Sequence, residues 1–195
     1  MNIPLTEYKS DVILIRRYGG WVMPLEKRRL HQITFTLAII GLLITIAGNF
    51  FDISITKKLC YLIGALILLI TALMESNTFF TVLETILSIG AGVAFLPISF
   101  IWKSGIPISL GVLAATYFSF SGQLKDYLTW LSITGVLIVT WGYALTNPML
   151  YVVGGAIVTV YSFCSFRRGE TIALVFGILN SIFTLTALLE VLRIL

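Results

Sequence analysis

The sequence predicts an all-α membrane protein, in which seven transmembrane helices form two parallel three-helix repeats joined by a linker helix. Hydrophobic residues make up 58% of its 195 residues and charged residues only 11%, whereas a soluble domain carries about 25% charged residues. Seven apolar stretches approach the roughly 20 residues that cross a hydrocarbon core about 30 Å thick. In addition, GLLITIAG at 41–48 recurs as GVLIVTWG at 135–142.

The seven stretches are predicted as helices because each is about twice the length of a barrel strand and is apolar on all sides. They run approximately over 33–53, 58–75, 78–97, 105–120, 128–146, 149–166 and 170–192. The fourth is the weakest, since Lys103 and Pro107 interrupt its start. Asn147-Pro148 indicates a turn followed by the start of the sixth helix. The chain then divides into a basic segment at 1–32, a bundle at 33–97, a linker helix region at 98–127 and a second bundle at 128–195.

Basic residues indicate how the chain is oriented in the membrane. Nine lie on the side of the N-terminus: Lys9, Arg16, Arg17, Lys27, Arg28, Arg29, Lys125, Arg167 and Arg168. Four lie on the other side: Lys57, Lys58, Lys103 and Arg193. The positive-inside rule predicts a cytoplasmic N-terminus and, after seven spans, an external C-terminus in a cell (inner) membrane. These positions favour anionic membrane lipids as partners of the basic cluster and argue against nucleic acid.

A second matched pair supports an internal repeat. YLIGALI at 61–67 corresponds to YVVGGAI at 151–157, with Tyr, Gly and Ile in register. Three spans reverse the direction of the chain, so a fourth span is needed to give the second copy the orientation of the first, as in some transporters. The repeated glycines lie on one helix face and favour close packing. The alternative is chance recurrence of Leu, Ile and Gly, which are common in membrane helices.

This three-plus-one-plus-three plan resembles the SWEET sugar transporters and the Pnu-type vitamin transporters. The segments WLSITGVLIVTWG, NPMLYVVGGAIVTVY and FFTVLETILSIGAG look more like the Pnu type. The Pro-Gln pair of PQ-loop relatives is absent, and AFLPISF replaces the aromatic end that often follows the third span. The resemblance implies facilitated passage of a small polar solute, vitamin- or sugar-like, by rocking of two bundles without ATP hydrolysis.

Polar residues inside the spans are candidate binding residues, because a charged group near a helix centre costs about 2.5–3.5 kcal/mol and usually faces the bundle interior. Glu84 is the most informative, and Ser88 follows one turn later on the same face. Asn180 lies at a matching depth in the seventh stretch. The alternative for Glu84 and Asn180 is a structural hydrogen bond to a neighbouring helix.

Three further residues complete the predicted substrate site. Asn49 lies near the end of the first stretch, and Trp141 and Tyr143 lie in the fifth. An aromatic ring offers a flat apolar face to a ring-shaped solute. Trp and Tyr also form belts at the membrane interface, which is the interpretation favoured for Trp130.

Other functional classes lack their characteristic residues. The single histidine, His31, lies outside the spans, and no H-E-x-x-H motif, P-loop or lysine in the middle of the last span is present. We therefore expect no enzyme activity, no catalytic residue, no cofactor and no metal. Cys60 and Cys164 are expected to pack as free small residues. The alternative function is a non-transporting scaffold or regulatory subunit of a larger membrane complex, and a homo-oligomer is left open.

Overall fold

The computed structural model describes residues 15–17, 20–22, 25–52, 55–122, 126–169 and 171–192. The chain forms two compact units, Met1–Ile33 and Thr34–Leu195. In the first unit, the strands β1 (Ile15–Arg17) and β2 (Gly20–Val22) pair in an antiparallel ladder. The sequence predicts no strand in this segment, because three residues are too few to show an alternating pattern. The remainder of the prediction for 1–24 lies outside the described residues.

Seven helices account for most of the described chain, as the sequence predicts. They are α1 (Leu25–Gly48), α2 (Ile55–Met74), α3 (Thr78–Val93), α4 (Phe100–Phe120), α5 (Tyr127–Leu145), α6 (Pro148–Arg167) and α7 (Thr171–Val191). The helix α1 begins eight residues before the predicted stretch, since a hydropathy pattern detects only the apolar part of a helix. The helix α4 begins at Phe100, five residues before the predicted stretch, and so includes Lys103 as well as Pro107.

Five of these helices are long and apolar enough to cross a membrane. Their spanning parts are Arg29–Gly48, Ile55–Met74, Tyr127–Leu145, Pro148–Arg167 and Ala173–Val191. The helix α3 is apolar but has only 16 residues, and α4 is interrupted by polar residues. Exposed Leu, Ile and Phe side chains cover the outer faces of the helices. The protein is therefore embedded in a membrane as a multi-pass helical chain.

Six helices form a closed ring, to which α1 contributes the part that belongs to the second unit. The helices α2 and α3, α3 and α5, α5 and α6, and α6 and α7 pack as neighbours. The helix α1 closes the ring. It contacts α2 through Gly41 and Gly64, and Asn49, the residue directly after α1, bonds to Thr186 of α7. The helix α4 packs on α3 and α5, which are neighbours in the ring. It therefore lies outside the ring.

Glycines bring two pairs of helices into close contact in the same way. A Cβ atom on Gly64 would lie 2.8 Å from the carbonyl oxygen of Gly41, and one on Gly154 would lie 2.9 Å from that of Gly135. Since real Cβ atoms do not approach so closely, only glycine allows the backbones to meet here. The α1–α2 seam and the α5–α6 seam are thus built by residues at matching positions.

The start of α6 is defined locally by a cap. The Asn147 side chain accepts a hydrogen bond from the Met149 backbone N–H, and Pro148 occupies the first turn. The preceding Thr146 has a φ of 53° and closes α5. This confirms the turn and helix start predicted from Asn-Pro, and it fixes the direction in which α6 returns along α5.

Candidate functional site

The ring of helices encloses a cavity of about 500 Å³, which we call the central cavity. All six ring helices contribute side chains to its wall. Its volume lies within the range of about 300–1,000 Å³ that is common for small-molecule sites. The wall combines aliphatic and aromatic residues with Thr, Ser, Asn and Glu side chains, so it can both enclose a solute and orient it.

One end of the central cavity is exposed. Its mouth is formed by Glu75, Asn77, Phe80 and Gly169, which lie where α2 passes into α3 and where α6 ends. Glu75 and Gly169 are exposed, and Phe80 is 40% exposed. Thr34 donates a hydrogen bond of 2.6 Å to Glu75 Oε1 and so holds that carboxyl group against α1.

An ion pair lies at the same end of the bundle. Arg168, just after α6, hydrogen-bonds to Asp126, which caps the N-terminus of α5. The guanidinium group holds the pKa of the Asp126 carboxyl below its usual value. Arg168 also lies 5.1 Å from the centre of the Tyr127 ring. These contacts are exposed and join the ends of two helices that border the cavity.

Two of the predicted site residues lie on the wall between the two ends. Glu84 and Asn180 both line the central cavity and are half-buried. The Glu84 oxygen Oε2 is buried and has no hydrogen-bond partner among the described residues. The Asn180 Nδ2 donates to the carbonyl of Phe176 in its own helix at 2.9 Å. Both side chains therefore border the space that a solute would occupy.

Four buried rings close the other end of the central cavity, and we call them the aromatic plug. Tyr61, Tyr143, Tyr151 and Phe183 come from four helices, and each is at most 3% exposed. Tyr61 and Tyr143 stack with centroids 4.5 Å apart. Tyr151 packs edge-on against both, at 5.2 and 5.4 Å. Aromatic pairs in such geometries contribute about 0.5–1.5 kcal/mol beyond their buried area.

A hydrogen-bond network joins the aromatic plug to the end of α1 and to α7. The Tyr61 hydroxyl donates to Asn49 Oδ1 at 2.6 Å, and Asn49 Nδ2 donates to Thr186 Oγ1 at 2.7 Å. Asn49 Nδ2 also lies 3.2 Å from the carbonyl oxygen of Phe183. The predicted site residue Asn49 is thus behind the plug and 2% exposed, where it links α1, α2 and α7.

A buried ion pair lies beside this network. Lys57, in the first turn of α2, pairs with Glu190 near the end of α7. The Lys57 side chain is 0% exposed and that of Glu190 is 17% exposed. Lys57, which the charge count treats as a solvated external residue, is instead enclosed by protein. A lysine can be buried when its ammonium group is paired with a carboxylate that accepts its hydrogen bonds.

The other predicted residues occupy different positions. Tyr143 lines the central cavity as well as forming part of the plug. Ser88 is buried on α3, and its hydroxyl has no partner within the described chain, but it does not line the cavity. Trp141 lines a smaller, apolar space of about 280 Å³ between α4 and α5. The structure thus brings Glu84, Tyr143 and Asn180 to one cavity, and places Trp141 on the opposite face of α5.

Sequence reasoning missed several residues of this site. Tyr61 and Tyr151 lie in the two similar Tyr-x-x-Gly segments, whose glycines alone indicate a packing seam. A tyrosine at the same position in both of these similar segments is the signal that could have identified the plug. Glu75 and Glu190 lie close to helix ends, and for that reason they did not stand out from solvated charges.

Comparison with known proteins adds no family assignment. No family model matches the chain, and no curated protein or solved structure matches it.

Proposed function

We propose that this protein is a membrane transporter that facilitates the passage of a small polar solute. The observation that carries this proposal is a central cavity open at one end of a helical ring and closed at the other end by the aromatic plug. A site reached from one side only is what alternating access requires of each end state. The polar wall groups, including Glu84 and Asn180, provide hydrogen-bonding partners for the solute.

The two moving bodies in this proposal are parallel repeats of three helices, 33–97 and 128–192, with α4 as the linker. The matched glycine seams support this division. Two contacts between the proposed halves lie at the plug end, where Tyr61 stacks on Tyr143 and Asn49 bonds to Thr186. Rocking of one half against the other separates these contacts and narrows the mouth. In this arrangement the chain resembles the SWEET and Pnu-type transporters in plan.

We further propose that the mouth opens to the cytoplasm. Arg167 and Arg168 lie at the mouth end of α6, and both are exposed. By the positive-inside rule, this end faces the cytoplasm of a cell (inner) membrane. The described conformation is then inward-open, and the plug is the closed external gate.

A reconstitution experiment tests the transport proposal. The purified protein is incubated with fractions of a cell metabolite extract, and any solute that raises its melting temperature is then measured for uptake into proteoliposomes. We expect Asn180→Ala to reduce uptake at least tenfold. Ile182→Ala is the matched control, because this neighbour on α7 is 41% exposed on the outer face, and it should transport normally.

The scaffold alternative makes the opposite prediction. A scaffold subunit is stabilised by a protein partner and by no solute, and Asn180→Ala leaves its assembly unchanged. If no fraction stabilises the protein while a co-purifying membrane protein does, the transport proposal is wrong.

A further inference from the structure

We infer that the central cavity selects a small organic cation with an ammonium-type head group. This inference rests on the proposed transport function and specifies the class of solute. It combines three features of the cavity wall, which are its charge, an unpaired buried oxygen and its aromatic surface.

The charged residues that line the wall within the described parts of the chain are both acidic. Glu75 lies at the mouth and Glu84 lies further inside, and the described lining residues include no Lys, Arg or His. Two basic residues near the ends of the cavity already have acidic partners, since Lys57 pairs with Glu190 behind the plug and Arg168 pairs with Asp126 outside the cavity. A wall of this composition attracts cations and repels anions, and low-dielectric surroundings strengthen both effects.

Glu84 lies where a bound cation would be enclosed. It is the seventh residue of α3, about 9 Å from the start of that helix at 1.5 Å per residue. Its Oε2 is buried and has no hydrogen-bond partner among the described residues. Asn180, which borders the same cavity, bonds to its own helix rather than to Glu84. A buried carboxylate without a partner is costly, and a cationic solute supplies that partner.

Aromatic side chains provide the remaining wall that an organic cation needs. Five aromatic residues line the central cavity: Phe80, Tyr143, Tyr161, Phe176 and Phe183. They come from four helices, so rings border the space on several sides. An ammonium group within about 6 Å of such a ring gains about 0.5–2 kcal/mol, and aromatic enclosures are a common way to recognise quaternary ammonium groups. An inorganic cation would instead need several oxygen ligands in close array.

The other solute classes fit this wall less well. Among the described lining residues, an anion would meet two carboxyl groups and no basic side chain. A neutral solute could use the Ser, Thr and Asn groups, but it would leave the buried oxygen of Glu84 without a counter-charge. The composition of the wall therefore favours cationic solutes over anionic and neutral solutes of similar shape.

Matched probes that differ only in charge test this inference. The first set is choline, its neutral carbon analogue 3,3-dimethylbutan-1-ol and the anion 3,3-dimethylbutanoate. The second set is benzyltrimethylammonium, benzyl alcohol and phenylacetate. Binding is measured by calorimetry on the full chain in lipid nanodiscs, and proteoliposome uptake is measured with radiolabelled probes. We expect at least one cation to bind tenfold or more tightly than both of its analogues, and to be taken up.

Two variants locate the effect. Glu84→Gln keeps the shape of the side chain and should weaken cation binding at least tenfold, while binding of the neutral analogue changes less than twofold. Asp52→Asn is the matched control, because it removes an exposed carboxyl group outside the cavity, and it should leave binding unchanged. The comparison of charges in the unmodified protein does not depend on whether Glu84→Gln folds.

The outcomes separate this inference from the transport proposal. If a neutral or anionic probe binds as tightly as its cationic counterpart, cation selection is wrong and solute binding stands. Equal cation binding by the unmodified protein and by folded Glu84→Gln also overturns the inference. If no probe of any charge binds or crosses, cation selection fails, and the metabolite-extract experiment decides separately whether transport fails with it.

Discussion

The rings of Tyr61 and Tyr143 stack with 4.5 Å between their centroids and 7° between their planes. The two residues come from α2 and α5, which lie in different proposed repeats. Their stack joins the two proposed halves at the closed end of the central cavity, where Tyr151 and Phe183 complete the aromatic plug. The contact is part of the buried core, and in the proposed transport cycle it also lies on the path of the solute. If the protein transports by the proposed rocking of its halves, this contact has to break when the site opens to the other side.

Two glycines pack directly against tyrosine rings of the aromatic plug and leave room for them. A Cβ atom on Gly142 would lie 2.7 Å from the Tyr151 ring, and one on Gly48 would lie 2.7 Å from the Tyr61 ring. We expect Gly142→Ala and Gly48→Ala each to destabilise the protein by about 1–3 kcal/mol, because the ring must shift out of a packed core. Melting temperatures in detergent measure the effect.

Gly92→Ala is the matched control for these two variants. Its Cβ would meet nothing within 4 Å, and alanine is the better helix former by about 1 kcal/mol. We expect no loss of stability. Similar losses in Gly48→Ala and Gly142→Ala support the matched seams of the two halves, and a harmless Gly142→Ala would contradict the described packing of Tyr151.

The network around Asn49 is predicted to keep the external end closed. Asn49→Ala leaves the Tyr61 hydroxyl and Thr186 without their shared partner, and an unsatisfied buried group costs about 1–3 kcal/mol. We expect the variant to populate the outward-open state. A cysteine introduced at Thr45, in a background of Cys60→Ala and Cys164→Ala, should then react faster with an impermeant thiol reagent added from outside. An unchanged rate would contradict a gating role for Asn49.

The orientation of the chain is testable without any knowledge of the solute. We predict a cytoplasmic N-terminus and an external C-terminus. Alkaline phosphatase fused after residue 195 should be active, since this reporter functions only outside the cytoplasm, and a green fluorescent protein at the same position should stay dark. Insertion of either reporter between α6 and α7 should give the reverse result. An active fluorescent protein at the C-terminus would contradict the orientation.

The helices could be predicted from the sequence because lipid imposes a local requirement. Each span must satisfy its own backbone hydrogen bonds, so a long apolar stretch such as 128–146 identifies α5 almost residue by residue. The start of α4 was harder to predict, because the sequence does not show whether Lys103 interrupts the helix or lies within it. Local composition thus predicted which segments are helical better than where each begins.

Which residues line the cavity could be predicted only in part, because this depends on how the helices pack against one another. Glu84, Tyr143 and Asn180 stand out because polar groups are costly inside spans, and they line one cavity. Trp141 is two residues from Tyr143, and that separation points it to the other face of α5, against α4. The neighbours of each helix decide which face borders the cavity, and the sequence does not reveal them.

Substitutions of the ion pair between Lys57 and Glu190 test whether it stabilises the protein at the closed end of the cavity. Lys57 is fully buried, and its pairing with Glu190 links α2 to α7, that is, one proposed repeat to the other. Removal of one partner leaves a buried charge uncompensated, which costs about 3–5 kcal/mol. Because Glu190 is 17% exposed, we expect Glu190→Gln to fall near the lower end of that range. Its melting temperature should drop clearly.

A double variant distinguishes the cost of an orphaned charge from a loss of packing. Lys57→Met combined with Glu190→Leu removes both charges and keeps apolar volume, and such replacements are often neutral or stabilising. We expect its stability to return to that of the unmodified protein. If the pair also holds the two halves together at the closed end, the double variant should react faster at a Thr45 cysteine from outside, even though it is stable. Additive losses from the two single substitutions would show that Lys57 and Glu190 do not interact.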